Sequence, residues 1–408
     1  MSAPQDRTAT ANLTYDELAG LKADRELVLL IGPAHPGSGH MKIKVWMDGD
    51  IIQRVDPDIG FVHRTTEKLS ENRLYIKAIP IVERVMLPDT INANLAYVIA
   101  LERLLGIEPT PRAQYLRTLT SEINRITSHL YGIGLYGIFL GSSTVYMWAF
   151  ADREPLIDLL EEISGARITY SYIIPGGVRW DLPAGFKERA ETVLQYMEAR
   201  LKDYGKIWVR NPVVMDRTEG VGVVSKSDAI RLGITGPNLR ASGVDYDTRR
   251  AKPYAAYPNL DFEVPTFSEG DCYARLLQRV EEIEQSIRII RQVLKDIPDG
   301  RIISDDIYSK MNPLQKRMYE MKHRVMFPAY MASMRPAAGR STASVEAGRG
   351  EIFFYLVSNG DKVPFRFRWV TPSFLNLPFF THVMVGQHLA DLPAIYGSSD
   401  YFPPEADR

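Results

Sequence analysis

Residues 272–294 read C-Y-A-R-L-L-Q-R-V-E-E-I-E-Q-S-I-R-I-I-R-Q-V-L, and this stretch decides the class of fold. From Leu276 to Leu294 apolar residues recur three and four positions apart, a spacing that places them on one wide stripe of a helix. Because such a stripe needs an apolar partner, the sequence predicts a bundle of packed helices. The same period runs through five other segments, namely 66–79, 90–105, 111–131, 153–163 and 186–208.

Two segments alternate with the period of a strand instead. Residues 26–55 contain E-L-V-L-L-I-G and M-K-I-K-V-W-M, then a turn at Asp48–Asp50, and predict an antiparallel sheet. The first two strands are joined by G-P-A-H-P-G-S-G-H at 32–40, a shaped loop too rich in glycine and proline for a regular element. Residues 351–369 predict a second hairpin with a turn at Asn359-Gly360. The predicted fold class is α+β, mostly helical with small antiparallel sheets in the N-terminal and C-terminal regions.

The chain is expected to form four segments. These are a flexible tail over 1–22, a sheet with its shaped loop over 23–64, a helical core over 65–330 with a loop-rich insertion at 210–265, and a C-terminal hairpin and tail over 331–408 packing back on the core. Disorder beyond the tail is expected at 304–313. The uncharged stretch 130–151 could span a bilayer by length, but its four glycines favour a buried helix and turn.

The composition of the chain argues against several classes of function. The chain has 408 residues with 49 Lys and Arg against 50 Asp and Glu, so it lacks the basic field of a sequence-independent nucleic-acid binder. Its one cysteine, Cys272, excludes an internal disulfide and any iron-sulfur cluster ligated by this chain alone. The mixed charges of the N-terminus argue against a secretory signal. No glycine-rich phosphate loop and no G-x-S-x-G elbow occurs.

Three histidines, His35, His40 and His63, fall within thirty residues on loops beside the first sheet. Each could simply hydrogen-bond a backbone carbonyl. Together they could bind zinc or non-haem iron, although H-x4-H is not the spacing of a helical ligand pair. An imidazole on a rigid loop could also donate a proton to a small polar substrate. Elsewhere, acids and arginines cluster in short motifs that, taken singly, are typical of surface ion pairs.

Taken together, the motifs resemble the D-type, quinone-site subunit of respiratory complex I, from about Gly32 to Arg408. The order and separation of many local matches carry this resemblance. The matching stretches are G-P-A-H-P at 32–36, I-G-F-V-H-R-T-T-E-K at 59–68, E-I-N-R-I-T-S-H-L at 122–130, D-R-E at 152–154, P-G-G-V-R-W-D-L-P at 175–183, G-I-T-G-P-N-L-R-A-S-G at 233–243, E-A-G-R-G-E at 346–351 and the ending 392–408.

That family is related to the large subunit of nickel-iron hydrogenases, which holds its metals with two pairs of cysteines. Here residues 67–90 and 398–408 contain no cysteine, so no metal site is expected. The resemblance implies that the vacated cavity takes a quinone headgroup as substrate, beside an iron-sulfur cluster of a partner subunit. No covalently bound cofactor is expected.

The resemblance implies a peripheral-arm subunit of a membrane-bound complex I-like oxidoreductase that takes electrons from NAD(P)H or another donor. The complex would reduce quinone and couple this to ion translocation. The implied partners are an iron-sulfur (B-like) subunit, a C-like peripheral subunit and an H-like membrane-arm subunit, on the cytoplasmic face of the membrane. Nucleic acid is not an expected partner.

The resemblance implies a role for individual residues of this chain that match the family's motifs. His35 matches the first histidine of the family's G-P-x-H-P loop and is the expected catalytic residue. Arg84 matches the arginine of the family's D-R-x-D-Y motif. Arg64 matches the arginine of H-R-G-x-E-K, although Thr65 stands where glycine is usual. Both arginines should lie near the partner's cluster. His129 matches the S-H-L motif and should lie there too, unless its role is only packing.

Several positions depart from the family. The position of the family's second loop histidine depends on how the loop is aligned. It falls on Gly39 when counted forward from Gly32, on Ser38 when counted back from the Asp48-Gly49 turn, and on His40 if the alignment slips by one residue. Ser38 and His40 are therefore both expected at the quinone pocket. The usual tyrosine, acid and histidine of the pocket and the cluster region are replaced by Leu87, Phe139 and Thr169.

These replacements resemble a divergent, archaeal-type branch and leave an alternative open. The chain could be a structural or coupling subunit whose altered pocket no longer reduces quinone, and which serves another acceptor or only docks the membrane arm. The weakest alternative is an independent metal enzyme that uses the three loop histidines.

Overall fold

The structure, a computed structural model, describes residues 26–322 and 329–408. The predicted tail over 1–22 lies outside the described residues. The first sheet has the order β1-β2-β3, with strands at Glu26–Ile31, Lys42–Asp48 and Ile51–Asp58, and both pairings are antiparallel. Alternate residues of β2 are buried, which is the pattern expected of a sheet with one face on a core. The predicted N-terminal sheet is therefore confirmed.

The helical core is built around one long central helix, α4, which has 29 residues. The Thr110 hydroxyl accepts from the Ala113 amide at its start, and Pro111 occupies the first helical position. The core helices are α1 Thr66–Glu71, α2 Tyr75–Glu83, α3 Thr90–Leu105, α4 Pro111–Phe139, α5 Ser143–Ser164, α6 Phe186–Tyr204, a π-helical turn Gly205–Val209, α7 Pro212–Thr218, α8 Lys226–Arg231, α9 Pro237–Arg240, α10 Thr248–Ala251, α11 Cys272–Asp296, α12 Asp305–Ser309, α13 Pro313–Lys322 and α14 Ala329–Ala332.

Glycines let α4 and α5 approach closely. A Cβ added at Gly137 would lie 3.0 Å from Cβ of Val145, and one at Gly134 would lie 3.1 Å from Cβ of Ala149. The uncharged stretch 130–151 contains the end of α4, a turn and the start of α5, and its glycines allow these two helices to pack closely. Among the described helices, none is both long and apolar enough to cross a membrane.

The C-terminal region contains a three-stranded sheet and a helical tail. The predicted hairpin corresponds to β7 and β8, but a strand before it, β6, was missed because it begins with glycine and polar residues that show no alternation of apolar side chains. The C-terminal elements are β6 Gly339–Ala347, β7 Gly350–Ser358, β8 Arg366–Val370, α15 Pro372–Leu375, α16 Leu377–Met384, α17 Leu392–Ser399 and α18 Pro403–Asp407. A separate pair of two-residue strands, β4 Ile173–Ile174 and β5 Gly177–Val178, lies mid-chain between α5 and α6.

Three local predictions differ from the structure. The expected disorder at 304–313 is wrong, because α12 begins there with a Ser304 hydroxyl cap and buries Ile307. The helix predicted over 66–79 is two helices, since the Asn72 side chain donates to the Lys68 carbonyl and ends the first. Helix α5 begins ten residues before the predicted 153, in an uncharged stretch that lacks a polar face to mark the helical period.

Candidate acceptor site

The loop 32–40 is held rigidly by its own hydrogen bonds. The Gly37 amide donates to Nδ1 of His35 at 3.1 Å, and the Ser38 hydroxyl donates to the His35 carbonyl oxygen at 2.9 Å. Gly32 has φ of 76°, and a Cβ there would lie 2.2 Å from the Met41 carbonyl oxygen, so only glycine fits. With Nδ1 accepting, a neutral His35 ring carries its proton on Nε2. The exposed imidazole can thus act as a donor.

An aromatic platform supports this loop. A Cβ at Gly37 would lie 2.9 Å from Cε1 of Phe139, which places the last residue of α4 directly against the loop. The ring of Phe139 meets that of Tyr396 edge-on, with centroids 5.2 Å apart. The Tyr396 hydroxyl donates to the Ser38 carbonyl oxygen at 3.1 Å. Tyr396 was missed because it lies more than 350 residues from the loop along the chain.

The other predicted pocket residues are arranged differently. The Ser38 hydroxyl points back into the loop, because both its hydrogen bonds go to loop carbonyls. His40 is exposed and has φ of 74°, in the left-handed region. Leu87 begins a short 3-10 turn and is 43% exposed, so it presents an apolar surface three residues after Arg84.

Arg64 and Arg84 lie side by side on the surface. The Arg64 guanidinium donates to the Arg84 carbonyl oxygen at 2.6 Å, and Arg84 donates to the Pro80 carbonyl oxygen at 2.8 Å. Neither makes an ion pair with a carboxylate in 26–322 or 329–408. Next to them, Glu83 is buried, and this burial raises its pKa to about 7 despite hydrogen bonds from Ser171. The charge of Arg84 also opposes this rise in pKa, so the two guanidinium groups form a cationic surface that has no ion pair among the described residues but acts electrostatically on Glu83.

The three loop histidines do not share one partner. Nδ1 of His63 lies 2.6 Å from the carbonyl oxygen of Asp407, whereas Nδ1 of His35 accepts within its own loop. Within the described ranges, no three His, Cys, Asp or Glu side chains are grouped as metal ligands would be. That the chain binds no metal stays a prediction.

His129 and Thr169 lie in different surroundings. His129 is fully buried in α4, with Nε2 3.1 Å from Oε2 of Glu282, and burial lowers the pKa of its imidazole. Thr169 is half-buried after α5, next to Ile168, whose carbonyl oxygen accepts from the Thr90 hydroxyl. Their predicted position near a partner's cluster stays a prediction.

Charged motifs that look like surface ion pairs meet instead in the core. Arg240 bonds Glu282 and Glu346, each at 2.8 Å, and Arg249 bonds Asp247 at 2.7 Å. All five side chains are buried. Burial disfavours the charge on Asp247, but the two guanidinium groups outweigh it and lower the pKa of this carboxyl. The expectation of surface ion pairs is thus wrong for the motifs that contain Arg240 and Glu346, because these two residues are 106 positions apart in the chain and meet only when it packs.

A second buried cluster surrounds Arg349. Its guanidinium lies 3.2 Å from Oδ1 of Asp400, 3.5 Å from Oδ2 of Asp89 and 3.7 Å from Oε2 of Glu405. Burial raises the pKa of Glu405 to about 7, although Arg349 acts in the opposite direction. The cluster joins the tail to the short turn that contains Leu87 and Asp89. The signals that could have found it are the charges of E-A-G-R-G-E and of the last nine residues.

Comparison with known proteins identifies the family of this chain. Residues 140–408 match the family described as respiratory-chain NADH dehydrogenase, 49 Kd subunit. The chain is 41% identical over 388 residues to the second D-type subunit of NADH-quinone oxidoreductase from Rhizobium meliloti (strain 1021), covering 94% of this chain and 96% of that protein. It is 37% identical over 397 residues to the D-type subunit of NADH-quinone oxidoreductase from Methylacidiphilum infernorum (isolate V4), covering 96% and 94%.

A solved structure has the same fold. It is that of the membrane-bound sulfane sulfur reductase, an archaeal respiratory membrane complex, one chain of which superimposes with a TM-score of 0.85 at 35% identity. The match covers 94% of this chain and 99% of that one. Fold and sequence therefore define a subunit of a complex I-like oxidoreductase. The chain belongs to the family of the 49 kDa, D-type subunit of respiratory-chain NADH dehydrogenase. The predicted family and fold class are confirmed.

Proposed function

We propose that this chain forms the electron-acceptor site of its complex, with a quinone headgroup bound against the loop 32–40. The observation that carries the proposal is the His35 ring, which is fixed through Nδ1 and leaves Nε2 as an outward donor. Phe139 beneath the loop and the exposed Leu87 provide apolar contacts for a headgroup. The pocket then holds its ligand chiefly by apolar contact, with one polar anchor.

The chain's own residues would orient the acceptor and stabilise the charge that develops on it. His35 donates a hydrogen bond from Nε2 to a headgroup oxygen and keeps its own proton as the oxygen gains charge, because a ring that accepts through Nδ1 would become an imidazolate on losing it. The two protons that the reduced headgroup takes up come from solvent. The electrons come from an iron-sulfur cluster of a partner subunit. Arg64 and Arg84, which form no ion pair among the described residues, suit the surface that faces such an electron-rich cluster.

The remaining features follow from this placement. The neighbours would be a B-like iron-sulfur subunit, a C-like peripheral subunit and an H-like membrane-arm subunit, and the chain would lie on the cytoplasmic face of the membrane. The complex would take electrons from NAD(P)H or another donor and couple their transfer to ion translocation. Support for these partners comes from relatives named as D-type subunits of NADH-quinone oxidoreductases.

The test is His35→Ala in the assembled complex, compared with His382→Ala, which changes a histidine at the end of α16. Loss of the donor should lower quinone reduction by roughly tenfold to a thousandfold, while subunit composition stays unchanged. His382→Ala should leave turnover unchanged. Unchanged turnover in assembled His35→Ala, together with an acceptor bound elsewhere, would rule out the proposal.

A second candidate is a different acceptor at the same place. Leu87 and Phe139 cannot hydrogen-bond a headgroup through their side chains. A chain of the same fold, 35% identical, belongs to a complex named a sulfane sulfur reductase. Side-by-side turnover of the assembled complex with a soluble quinone and with polysulfide separates the two. Reduction of polysulfide alone supports the second candidate, and reduction of neither supports a coupling subunit that does not reduce an acceptor.

A further inference from the structure

A groove of about 860 Å³ lies between α6, the π-helical turn and α11. The two helices run antiparallel: Arg291 bonds Glu198 at one end, and the Tyr273 hydroxyl donates to the Val209 carbonyl oxygen at the other. From Glu198 to Val209 the chain advances about 17 Å at the helical rise. The groove is therefore long enough for about three turns of another helix.

The floor of this groove is apolar. Leu201, Val209 and Ile287 are buried beneath it, and Leu277 and Val280 are half-exposed along it. The π-helical turn forms one end, where the backbone amide five residues after Gly205 donates to the Gly205 carbonyl oxygen at 3.1 Å. Such a turn contains one more residue than an α-helical turn and locally widens the helix.

The groove is lined by charges of both signs. Glu198 on α6 and Arg288 on α11 form ion pairs within this chain, and four further charged side chains line the groove. Glu281 and Glu284 project from α11, while Lys202 and Arg210 lie on the opposite side. In the described part of the chain, none of these four side chains forms an ion pair, whereas Arg288 in the same groove pairs with Asp261 and Glu263. Partial burial raises the pKa of Glu284, and repulsion from Glu281 adds to this. Both sides of the groove thus hold charges that form no ion pair in the described chain, although Lys202 acts electrostatically on the nearby Glu198.

We propose that this groove binds one amphipathic helix, about three turns long, from another subunit of the complex. Its apolar side covers Leu277 and Val280, its cations face Glu281 and Glu284, and its carboxylates face Lys202 and Arg210. The proposal rests on membership in a multi-subunit family and not on the acceptor site. A lipid headgroup layer does not match unpaired acids on one side of the groove and unpaired bases on the other, and a second copy would oppose one concave surface to another.

The first test is photo-cross-linking in the purified, assembled complex. A benzophenone amino acid replaces Leu277 in the groove, or Ala199, an exposed residue of α6 outside it, as the control. We expect position 277, but not 199, to cross-link to one peptide of another subunit that contains apolar, acidic and basic residues at helical spacing. A cross-link to lipid, to this same chain, or to no partner overturns the proposal.

The second test reverses the acidic wall with Glu281→Lys and Glu284→Lys together. A matched double variant, Glu188→Lys and Asp216→Lys, makes the same change at exposed acids outside the groove. The first variant should lower the cross-link yield from position 277 about tenfold, because two favourable charge contacts become repulsive. The matched variant should leave it unchanged. Equal yields from wild type and both variants would refute the charge pairing, while acceptor turnover reports separately on the proposed function.

Discussion

The Tyr396 hydroxyl donates a hydrogen bond of 3.1 Å to the Ser38 carbonyl oxygen, and so ties the C-terminal tail to the loop that presents His35. The same tyrosine ring packs edge-on against Phe139 below the loop. The N-terminal loop and the C-terminal tail therefore meet here, and their contact helps to hold the His35 ring in place. If the proposed acceptor site lies at this loop, the junction, as well as His35 itself, should matter for turnover.

Tyr396→Phe should loosen the loop without removing the aromatic platform. The Ser38 carbonyl oxygen loses its tail donor, which should destabilise the chain by about 1 kcal/mol. Turnover of the assembled complex should fall severalfold, because the His35 ring becomes less well positioned. Two quantities are measured, namely acceptor turnover and the rate of hydrogen exchange in the 32–40 loop. Tyr355→Phe, on a half-exposed strand position, is the matched control and should change neither.

Gly37→Ala should displace the loop from its support. The added Cβ would lie 2.9 Å from Cε1 of Phe139, closer than packed atoms tolerate, so turnover should drop at least as far as in Tyr396→Phe. The double variant Gly37→Ala with Phe139→Leu should recover part of that loss, since leucine removes the ring atom in contact. A double-mutant cycle on turnover measures the recovery, and additive losses would contradict the contact.

Leu87→Tyr should tighten binding of a quinone headgroup analogue. Leu87 is 43% exposed at the proposed pocket, so a phenol can be placed there without a core clash and adds one hydrogen-bond donor. A gain of about 1 kcal/mol, or roughly fivefold in Kd, is expected from one such bond. Titration of the assembled complex gives the Kd. Leu314→Tyr, at another exposed leucine, should have no effect, and an equal gain there would refute the assignment.

Stability of the tail should fall as pH rises towards and through 7. Burial raises the pKa of Glu405 from 4.5 to about 7, so the folded chain binds a proton that the unfolded chain has already released between these values. The loss should reach at most about 3 kcal/mol above pH 7. Hydrogen exchange of residues 398–408 between pH 5 and 8 measures it.

Glu405→Gln should remove this pH dependence, because the amide cannot ionise. Glu154→Gln changes an exposed acid outside the cluster and should keep the wild-type slope. If Glu405→Gln and wild type lose protection in parallel as pH rises, then Glu405 is not the group that titrates.

Local pattern alone determined most elements of this protein. The apolar stripe of 272–294 predicts α11, and the alternation of 26–55 predicts the first sheet, because burial of one face imposes its period on the sequence. The motif order was enough to indicate the family. Local pattern failed at β6, where small polar residues carry no period, and at 304–313, where a single cap and one buried isoleucine decide the helix.

Tertiary structure alone decided how the site is assembled. Arg240 and Glu346 are 106 residues apart and read as surface charges, yet they meet in the core. Tyr396 carries no local signal of its bond to the loop, and Glu405 becomes a proton-binding group only because the fold buries it beside Arg349. A sequence gives the side chain at each position and the local spacing of apolar residues. Contacts between distant segments, and the desolvation that shifts a pKa, arise only when the chain packs.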